Sequence, residues 1–445
     1  MTEPPNPPEP VDDAGPPPPS TDARRYEPAE IARPTPPPPT PRRHDLDAVR
    51  GFAMSLGIAL HAALPFVPYW TDGDPGAGFL FGLFEFIHGF RMPLFFVLSG
   101  YFTTMLWRRR GLRPLIDHRL RRIGLPLLAG LAVVLPLLFG GIILGYVISG
   151  EDPTLADVEG AYGDDPDGVA ADAVGTDVEE AEGRTDAEDE EGEFGLGHLW
   201  FLWFLLWLVA GFSVVAKLVE RLARRRGRDR PVASGVVTAA LVGVPILAVL
   251  PAVAMDGEVF GPDTSETLVP DLAVLAYYAC FFAFGALAHD RHTSADVPLI
   301  DAVGRWWPAQ LALGSLVLYP AGQLLMDDHR TPSVILQVAF AWTISFGLLG
   351  AFRRFLSAQS FRVRWLSDAS YWMYLMHLPL IFVAQGIVAA LDLPPLVGFV
   401  LVCVAVVPPL LASYRSWVRY SFIGTMLNGE RTRSDDDAAR LRRAH

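Results

Sequence analysis

The sequence is poor in cysteine and in lysine. It has two cysteines, Cys280 and Cys403, and only one of its 36 Lys and Arg residues is a lysine, Lys217. Both cysteines lie in apolar stretches and no paired Cys and His spacing accompanies them. This pattern predicts neither a disulfide framework nor a zinc site.

Several motifs that mark well-known enzyme classes are also missing. The sequence has no phosphate loop of the G-x-x-x-x-G-K type, no H-E-x-x-H and no G-x-S-x-G. Their absence argues against P-loop nucleotide hydrolases, zinc peptidases and serine hydrolases with a nucleophile elbow. We therefore expect no metal cofactor, and nothing in the sequence predicts nucleic-acid binding.

Long apolar runs dominate what is present. The 445 residues are 51% apolar and have a positive mean hydropathy although the formal net charge is −13. The apolar residues fall into runs of about 20 residues, the length that crosses a bilayer as a helix. Ten runs are predicted as spans: 48–69, 84–106, 123–148, 197–217, 233–254, 269–288, 308–326, 333–351, 369–390 and 396–414. The sequence thus predicts an all-α polytopic membrane protein.

The charges of the connections predict the orientation. Arginines crowd the connections 108–122, 219–231 and 352–366, whereas 70–78 and 255–268 are acidic. Arginine-rich connections stay on the cytoplasmic side. With ten spans, both termini are then cytoplasmic, and we expect a multi-pass protein of the plasma membrane.

Two low-complexity regions and a short tail interrupt or flank the predicted membrane domain, 44–415. Residues 1–43 are rich in proline and predict a disordered cytoplasmic tail. Residues 150–195 carry eighteen Asp and Glu against one Arg, which predicts a disordered outer loop. Residues 416–445 are interpreted as a cytoplasmic tail.

The first span carries two costly polar side chains, Arg50 and His61. They are eleven residues apart, which on a helix puts them within about 20° of one face and about 16 Å apart along the axis. Considered alone, Arg50 needs no functional role, because its long side chain can place the charge among the lipid headgroups. His61 lies deeper, where a titratable residue predicts a functional site, unless a neighbouring hydroxyl satisfies it.

The second span carries three further ionisable side chains. Glu85, His88 and Arg91 follow each other at intervals of three residues, so adjacent members meet on a helix. Pro93 below them loosens the helix and frees backbone groups. Three ionisable groups are too costly to face lipid, so they face the protein interior or form a charged patch near the outer interface.

Arg119 and Arg122 are spaced i, i+3 at the cytoplasmic start of the third span. Topology by itself explains arginines at this position. An arginine cluster beside an inward-facing cavity is, however, also what binding of a phosphorylated cofactor requires, because guanidinium pairs with phosphate through two hydrogen bonds.

His198 begins the fourth span together with Trp200 and Trp203. Tryptophans collect at the membrane–water interface. We interpret this group as an aromatic anchor at the outer edge of the membrane.

The ninth span contains a further pair of polar residues. Ser367 or Asp368 is the predicted cap at its start. Tyr374 and His377, again spaced i, i+3, lie one or two turns further into the membrane.

Five sequence islands together resemble a known family. In order along the chain they are LDAVRGFAMSLGIALHA, FRMPLFFVLSGYF, HRLRRIGLPLL, HLWFLWFLL and SDASYWMYLMHLPLI. They resemble the acyltransferase 3 family of integral-membrane acyltransferases, and in particular its glucan-modifying succinyltransferases. The pair Arg50 and His61 looks like the family's Arg-x10-His, and Arg119 with Arg122 looks like its Arg-x-x-Arg.

The resemblance implies a ten-helix bundle that takes an acyl group from cytoplasmic acyl-CoA. It implies transfer of that group to a hydroxyl of a glycan or lipid-linked sugar that faces outward. The acidic insertion at 150–195 departs from the compact loop of the family, and this leaves the acceptor open.

The chemistry of acyl transfer assigns roles beside the resemblance. The acceptor hydroxyl needs a base, which a histidine supplies near neutral pH, and the tetrahedral oxyanion needs a cation or donor. His61 acts either as this base or as an acyl carrier. The candidate catalytic residues are His61, Arg50, His88 and Glu85, and the candidate substrate- and CoA-binding residues are Arg91, Arg119, Arg122, Tyr374 and His377.

Two other functions remain open from the sequence. A transporter or flippase for a glycan or lipid also needs buried ionisable residues, and it often has two repeated halves. The Arg-x10-His spacing is not repeated in the second half of this chain. A non-catalytic scaffold would leave the intramembrane histidines without a role.

Overall fold

The computed structural model describes residues 43–66, 73–150, 195–225, 234–257 and 259–431. Across these ranges the regular secondary structure is helical, and strand-like pairing is confined to one isolated bridge between His292 and Pro298. The all-α prediction is therefore confirmed. Residues 1–42 of the predicted Pro-rich tail, nearly all of the predicted acidic loop and residues 432–445 of the predicted C-terminal tail lie outside the described residues.

Seven helices are long and apolar enough to cross a membrane. They are α1 (His44–Ala63, continued by a 3₁₀ turn Leu64–Phe66), α2 (Pro75–Arg110), α3 (Leu112–Ser149), α4 (Trp200–Arg225), α11 (Arg330–Leu356), α12 (Phe361–Ala390) and α13 (Pro395–Ser413). Each lies on one of the ten predicted spans, so the protein is a multi-pass membrane protein.

The other helices are shorter. They are α5 (Ser234–Leu247), α6 (Val249–Val253), α7 (Leu272–Ala288), α8 (Leu299–Ala302), α9 (Trp307–Leu313), α10 (Tyr319–Leu324) and α14 (Phe422–Asn428). The predicted spans 233–254, 269–288 and 308–326 fall on α5 with α6, on α7, and on α9 with α10. Seven rather than ten helices therefore meet the length and composition of a span in the described part of the chain.

Prolines explain where several helices change their winding. The π-helical turns Leu120–Gly124 and Gly130–Val134 in α3, and Gly314–Leu318 between α9 and α10, each precede a proline by two residues. Proline has no N–H, so the carbonyl four residues earlier loses its helical donor and the ladder shifts by one residue. These turns therefore mark freed carbonyl groups.

The centre of the bundle is formed by α1, α2, α7 and α12. Helices α2 and α7 approach closely at two glycines, because a Cβ on Gly100 would collide with the Phe282 carbonyl and one on Gly285 with the Val97 carbonyl. Small residues permit such contacts between membrane helices. Helix α12 packs on α1, α3 and α13 and so connects the two halves of the chain.

An ion-pair network fixes the start of the described fold. Arg43 donates to Asp45 and to Asp301, and Arg353 pairs with Asp301 at 3.2 Å. Both carboxylates are almost fully buried, and Asp45 with its neighbours raises the pKa of Arg43 although burial of the guanidinium alone would lower it. Arg43, which the sequence assigned to the Pro-rich tail, is thus part of this network.

Candidate active site

Three histidines from distant parts of the sequence meet in the middle of the bundle. The ring centre of His377 on α12 lies 5.2 Å from that of His61 on α1 and 5.3 Å from that of His198. His377 is 2% exposed and His198 is 6% exposed. The interpretation of His198 as an anchor at the membrane surface is therefore wrong, because its ring is buried against α12.

A proline in α12 explains how His198 is held. Pro379 has no N–H, so the carbonyl of Leu375 loses its donor within the helix. The ring nitrogen Nε2 of His198 lies 3.3 Å from this carbonyl and donates to it. On α12 itself, Nδ1 of His377 donates to the carbonyl of Tyr374 at 2.7 Å. In return, the Tyr374 hydroxyl donates to the backbone carbonyl of His198 at 2.6 Å.

These hydrogen bonds determine which ring nitrogens carry lone pairs. A carbonyl only accepts, so Nδ1 of His377 and Nε2 of His198 carry hydrogen. In the neutral rings, Nε2 of His377 and Nδ1 of His198 then carry the lone pair. Both atoms are buried and have no hydrogen-bond partner among the described residues. The cluster therefore offers two free proton acceptors.

Arg91 of α2 brings a positive charge next to these rings. Its Nη1 atom covers Gly57 of α1 so closely that a Cβ there would collide with it, and Nε2 of His377 lies 4.0 Å from the same position. The Nε atom of Arg91 is buried without a partner, and within the described ranges no carboxylate pairs with this guanidinium. A buried cation of this kind is suited to stabilise a developing negative charge.

The cluster opens into a cavity of about 90 Å³. Its walls come from α1, α2, α12, the start of α4 and the segment 259–266. Three polar residues of that segment, Asp263, Thr264 and Glu266, belong to the lining together with Trp200. The Asp263 carboxylate accepts from the backbone N–H groups of Asp256 and Gly257, and burial raises its pKa.

Glu85 and His88 hold the segment that covers the cavity. The Glu85 carboxylate accepts from the Phe260 N–H at 3.2 Å and from Gln323 on α10, and it is not part of the cavity wall. His88 lines the cavity, but its Nε2 donates to the Pro262 carbonyl at 2.8 Å. The sequence proposed both as catalytic residues, and their observed contacts are those of residues that position the segment.

A second polar cluster lies on the N-terminal side of the histidines along both α1 and α12, and we call it the arginine cluster. It consists of Arg50, Arg119 and Arg122. Arg50 interacts electrostatically with the other two arginines, and all three interact with Tyr371. Arg119 donates to the hydroxyl of Thr103 at 2.7 Å. The Tyr371 hydroxyl donates to the Arg122 carbonyl at 2.8 Å, a carbonyl that the downstream proline of α3 deprives of its helical donor.

The two clusters lie near different parts of α1. His61 packs against His377 of α12, and Arg50 interacts electrostatically with Tyr371 of the same helix. Their separation of eleven residues corresponds to about 16 Å along α1, and their shared face stays a prediction. Reasoning from sequence did not include His198, for which the only signal was a histidine able to meet the carbonyl freed by Pro379.

Asp368 also has a different role from the predicted one. Helix α12 begins at Phe361 with Ser360 as its cap, eight residues before the predicted span 369–390, so neither Ser367 nor Asp368 caps it. Ser367 donates instead to the Asp47 carbonyl of α1 at 2.6 Å. Asp368 is 2% exposed and pairs with Arg431.

No group of three His, Cys, Asp or Glu side chains is arranged to hold a metal ion within the part of the chain that the structure describes. The expectation that the protein uses no metal stays a prediction.

Comparison with known proteins identifies the family. The chain is 27% identical over 412 residues to proteins named Glucans biosynthesis protein C from Salmonella schwarzengrund (strain CVM19633), Salmonella typhi and Salmonella paratyphi B (strain ATCC BAA-1250 / SPB7), covering 88% of this chain and 96% of each relative. No solved structure matches the chain significantly. A family model described as an acyltransferase domain, Acyl_transf_3, matches residues 43–415. The protein therefore belongs to the acyltransferase 3 family, as the five sequence islands predicted, and is a membrane acyltransferase.

Proposed function

We propose that this protein is an O-acyltransferase that moves an acetyl or succinyl group from cytoplasmic acyl-CoA to a hydroxyl of an extracytoplasmic glycan or lipid-linked sugar. The observation that carries this proposal is the cluster of His61, His377 and Arg91 beside the cavity. In a chain of an acyltransferase family, it combines proton acceptors with an unpaired cation beside one cavity.

The arginine cluster is the proposed donor site. Coenzyme A carries phosphate groups at one end and its thioester at the other. Arg50, Arg119 and Arg122 bind the phosphates, for which guanidinium groups are well suited. The pantetheine arm then follows α1 over the roughly 16 Å that separate Arg50 from His61. This arrangement requires the arginine cluster to face the cytoplasm, as the positive connections predict.

In a direct transfer, His61 acts as the general base. The acceptor oxygen attacks the thioester carbonyl carbon while the hydroxyl proton passes to the imidazole of His61. Arg91 stabilises the oxyanion of the tetrahedral intermediate. The C–S bond then breaks, and the CoA thiolate takes the proton from the imidazolium.

In a covalent transfer, His61 acts as an acyl carrier. Its imidazole attacks the thioester, the C–S bond breaks, and the departing thiolate takes the imidazole proton. The acceptor hydroxyl then attacks the acyl-imidazole, and its proton passes to the free Nε2 of His377. The bond between the acyl carbon and the His61 nitrogen breaks, and the departing imidazole of His61 takes this proton back from His377. His377 thus supplies the base that His61 cannot supply while it is acylated.

The acceptor enters from the side of the segment 259–266. The carboxylates of Asp263 and Glu266 and the hydroxyl of Thr264 are groups that bind sugar hydroxyls, and the name of the Salmonella relatives refers to glucans. We further propose that all ten predicted spans cross the plasma membrane, with α5–α6, α7 and α9–α10 as the three shorter crossings and both termini in the cytoplasm.

The experiment compares wild type with His61→Ala in nanodiscs. Each is incubated with radiolabelled acetyl-CoA and succinyl-CoA, and both released CoA and label on the protein are followed. Turnover of one thioester that disappears in His61→Ala supports the proposal, and label retained on wild type supports the covalent route. No CoA release and no CoA binding by wild type would contradict it and favour a transporter.

A further inference from the structure

Residues 414–431, which follow α13, pack against the helix bundle. The π-helical turn Tyr414–Val418 continues α13, and α14 packs against α12 and against the first π-helical turn of α3. The sequence gives little sign of this, because the segment is short and has no long apolar run. Its position is set by contacts with residues far away in the chain.

This segment lies directly on the arginine cluster. Arg122 Nη1 donates to the Leu427 carbonyl at 2.9 Å, and a Cβ on Gly429 would collide with Arg122 Nη2. Asn428 donates to the Asp368 carbonyl at 2.7 Å. The positive φ of Gly429, 84°, ends α14 and turns the chain.

Arg431 follows this turn and is held by a buried carboxylate. Its Nη2 lies 3.1 and 3.0 Å from the two oxygens of Asp368, whereas Arg419 is 3.9 Å from the same carboxylate. Arg431 is in electrostatic range of Arg122. Its Nε is buried and has no partner among the described residues.

Placing an arginine beside other arginines is unfavourable unless an anion joins them. Asp368 offsets this repulsion only in part, since two arginines share it. The Nε–H groups of Arg431 and Arg119 have no partner among the described residues, and a phosphate is suited to accept hydrogen bonds from them. We infer that Arg431 is a further phosphate-binding residue of the donor site, positioned by Asp368 and delivered by α14, and this inference depends on the proposed function.

The test separates phosphate binding from structural support. For wild type and Arg431→Ala in phosphatidylcholine nanodiscs, KM is measured with acetyl- or succinyl-CoA, whichever wild type turns over, and with the matching S-acyl-pantetheine, which has no phosphate. We expect KM for the CoA thioester to rise about tenfold, as for loss of one charge-assisted hydrogen bond, with KM for the pantetheine thioester unchanged.

Two further variants control for charge and folding. Arg415→Ala removes an equal charge from an exposed position of the same segment and should leave both KM values unchanged. In Arg431→Ala, the buried Asp368 carboxylate loses its closest partner, which can prevent folding. The double variant Arg431→Ala/Asp368→Asn replaces this carboxylate with a neutral amide. It should therefore fold and show the same increase in KM for the CoA thioester alone.

Three outcomes overturn the role of Arg431. Equal increases for both thioesters would indicate a structural role, and no increase for either would remove Arg431 from the site. Loss of labelled phosphatidylglycerol binding without loss of CoA affinity would make the cluster a lipid-headgroup site.

If Arg119→Ala raises KM selectively and Arg431→Ala does not, this inference fails while the proposed function stands. If wild type does not distinguish CoA from pantetheine thioesters, the proposed donor site fails as well.

Discussion

Two levels along α12, one at Asp368 and Tyr371 and the other at Tyr374 and His377, hold polar side chains in different ways, and we call them the arginine end and the histidine end of the bundle. At the histidine end, His198 and His377 donate to backbone carbonyls of α12 and keep one lone pair each. At the arginine end, Arg119 and Arg122 donate to neutral oxygens of Thr103 and of α14. One end therefore presents proton acceptors, and the other presents positive charge that Asp368 offsets only in part.

This difference indicates a division of labour. Neutral oxygen acceptors fix the direction of a guanidinium without cancelling its charge, which leaves the charge available for an anion. Carbonyl acceptors fix the tautomer of a histidine and leave the other nitrogen free. A substrate with phosphates at one end and a reactive carbonyl at the other fits the two clusters, which are separated along α1. If the division holds, a substitution at one cluster leaves the function of the other unchanged.

The largest effect is expected for His61→Ala. Loss of a general base or acyl carrier lowers kcat by about 10²- to 10⁴-fold. CoA affinity, which depends on the other end of α1, should change by less than about twofold. Single-turnover kinetics and calorimetry with CoA measure the two quantities. A parallel loss of CoA affinity would show that the two ends are not independent.

A smaller effect on the same end is expected for Gly57→Ala. The added methyl group collides with Arg91 Nη1 and displaces the guanidinium from the cavity. Misplacing a catalytic group by about 1 Å costs up to about 10²-fold, so we expect kcat to fall by about tenfold to a hundredfold with CoA binding unchanged.

Gly140→Ala is the matched control for this substitution. Gly140 is also inside a membrane helix, and a Cβ there meets nothing within 4 Å. Its kcat should equal that of wild type. Equal losses in Gly57→Ala and Gly140→Ala would mean that helix flexibility, rather than the position of Arg91, limits the rate.

At the arginine end, Arg119→Ala should change binding rather than chemistry. Loss of one charge-assisted contact raises KM for acyl-CoA by about tenfold, and kcat stays within about twofold. The ratio of the two KM values should be smaller at high salt. Salt screens the attraction between Arg119 and the phosphates, so wild type then gains less from this arginine. A fall in kcat with constant KM would contradict the division between the two ends.

The sequence predicts the membrane helices and the polar islands well because apolar length and i, i+3 spacing are local properties. The shared face predicted for Arg50 and His61 rests on such a property. The partners of Asp368 and His198 are not local. Asp368 meets Arg431 across 63 residues, and His198 meets the Leu375 carbonyl across 177 residues. Proline was the one local clue, since it marks the carbonyl that needs a distant donor.

The smallest effect tests this role of proline at the arginine end. Tyr371→Phe removes the donor to the Arg122 carbonyl and should cost about 1 kcal/mol of stability, seen as a lower midpoint of thermal unfolding in detergent. Pro126→Ala restores a backbone N–H four residues after Arg122, so the helix itself can supply the missing donor. In the Pro126→Ala background, Tyr371→Phe should therefore cost much less than in wild type. The difference between the two costs is the coupling energy of the pair. Equal costs in both backgrounds would show that Tyr371 acts through its packing in the bundle and that the freed carbonyl does not determine its place.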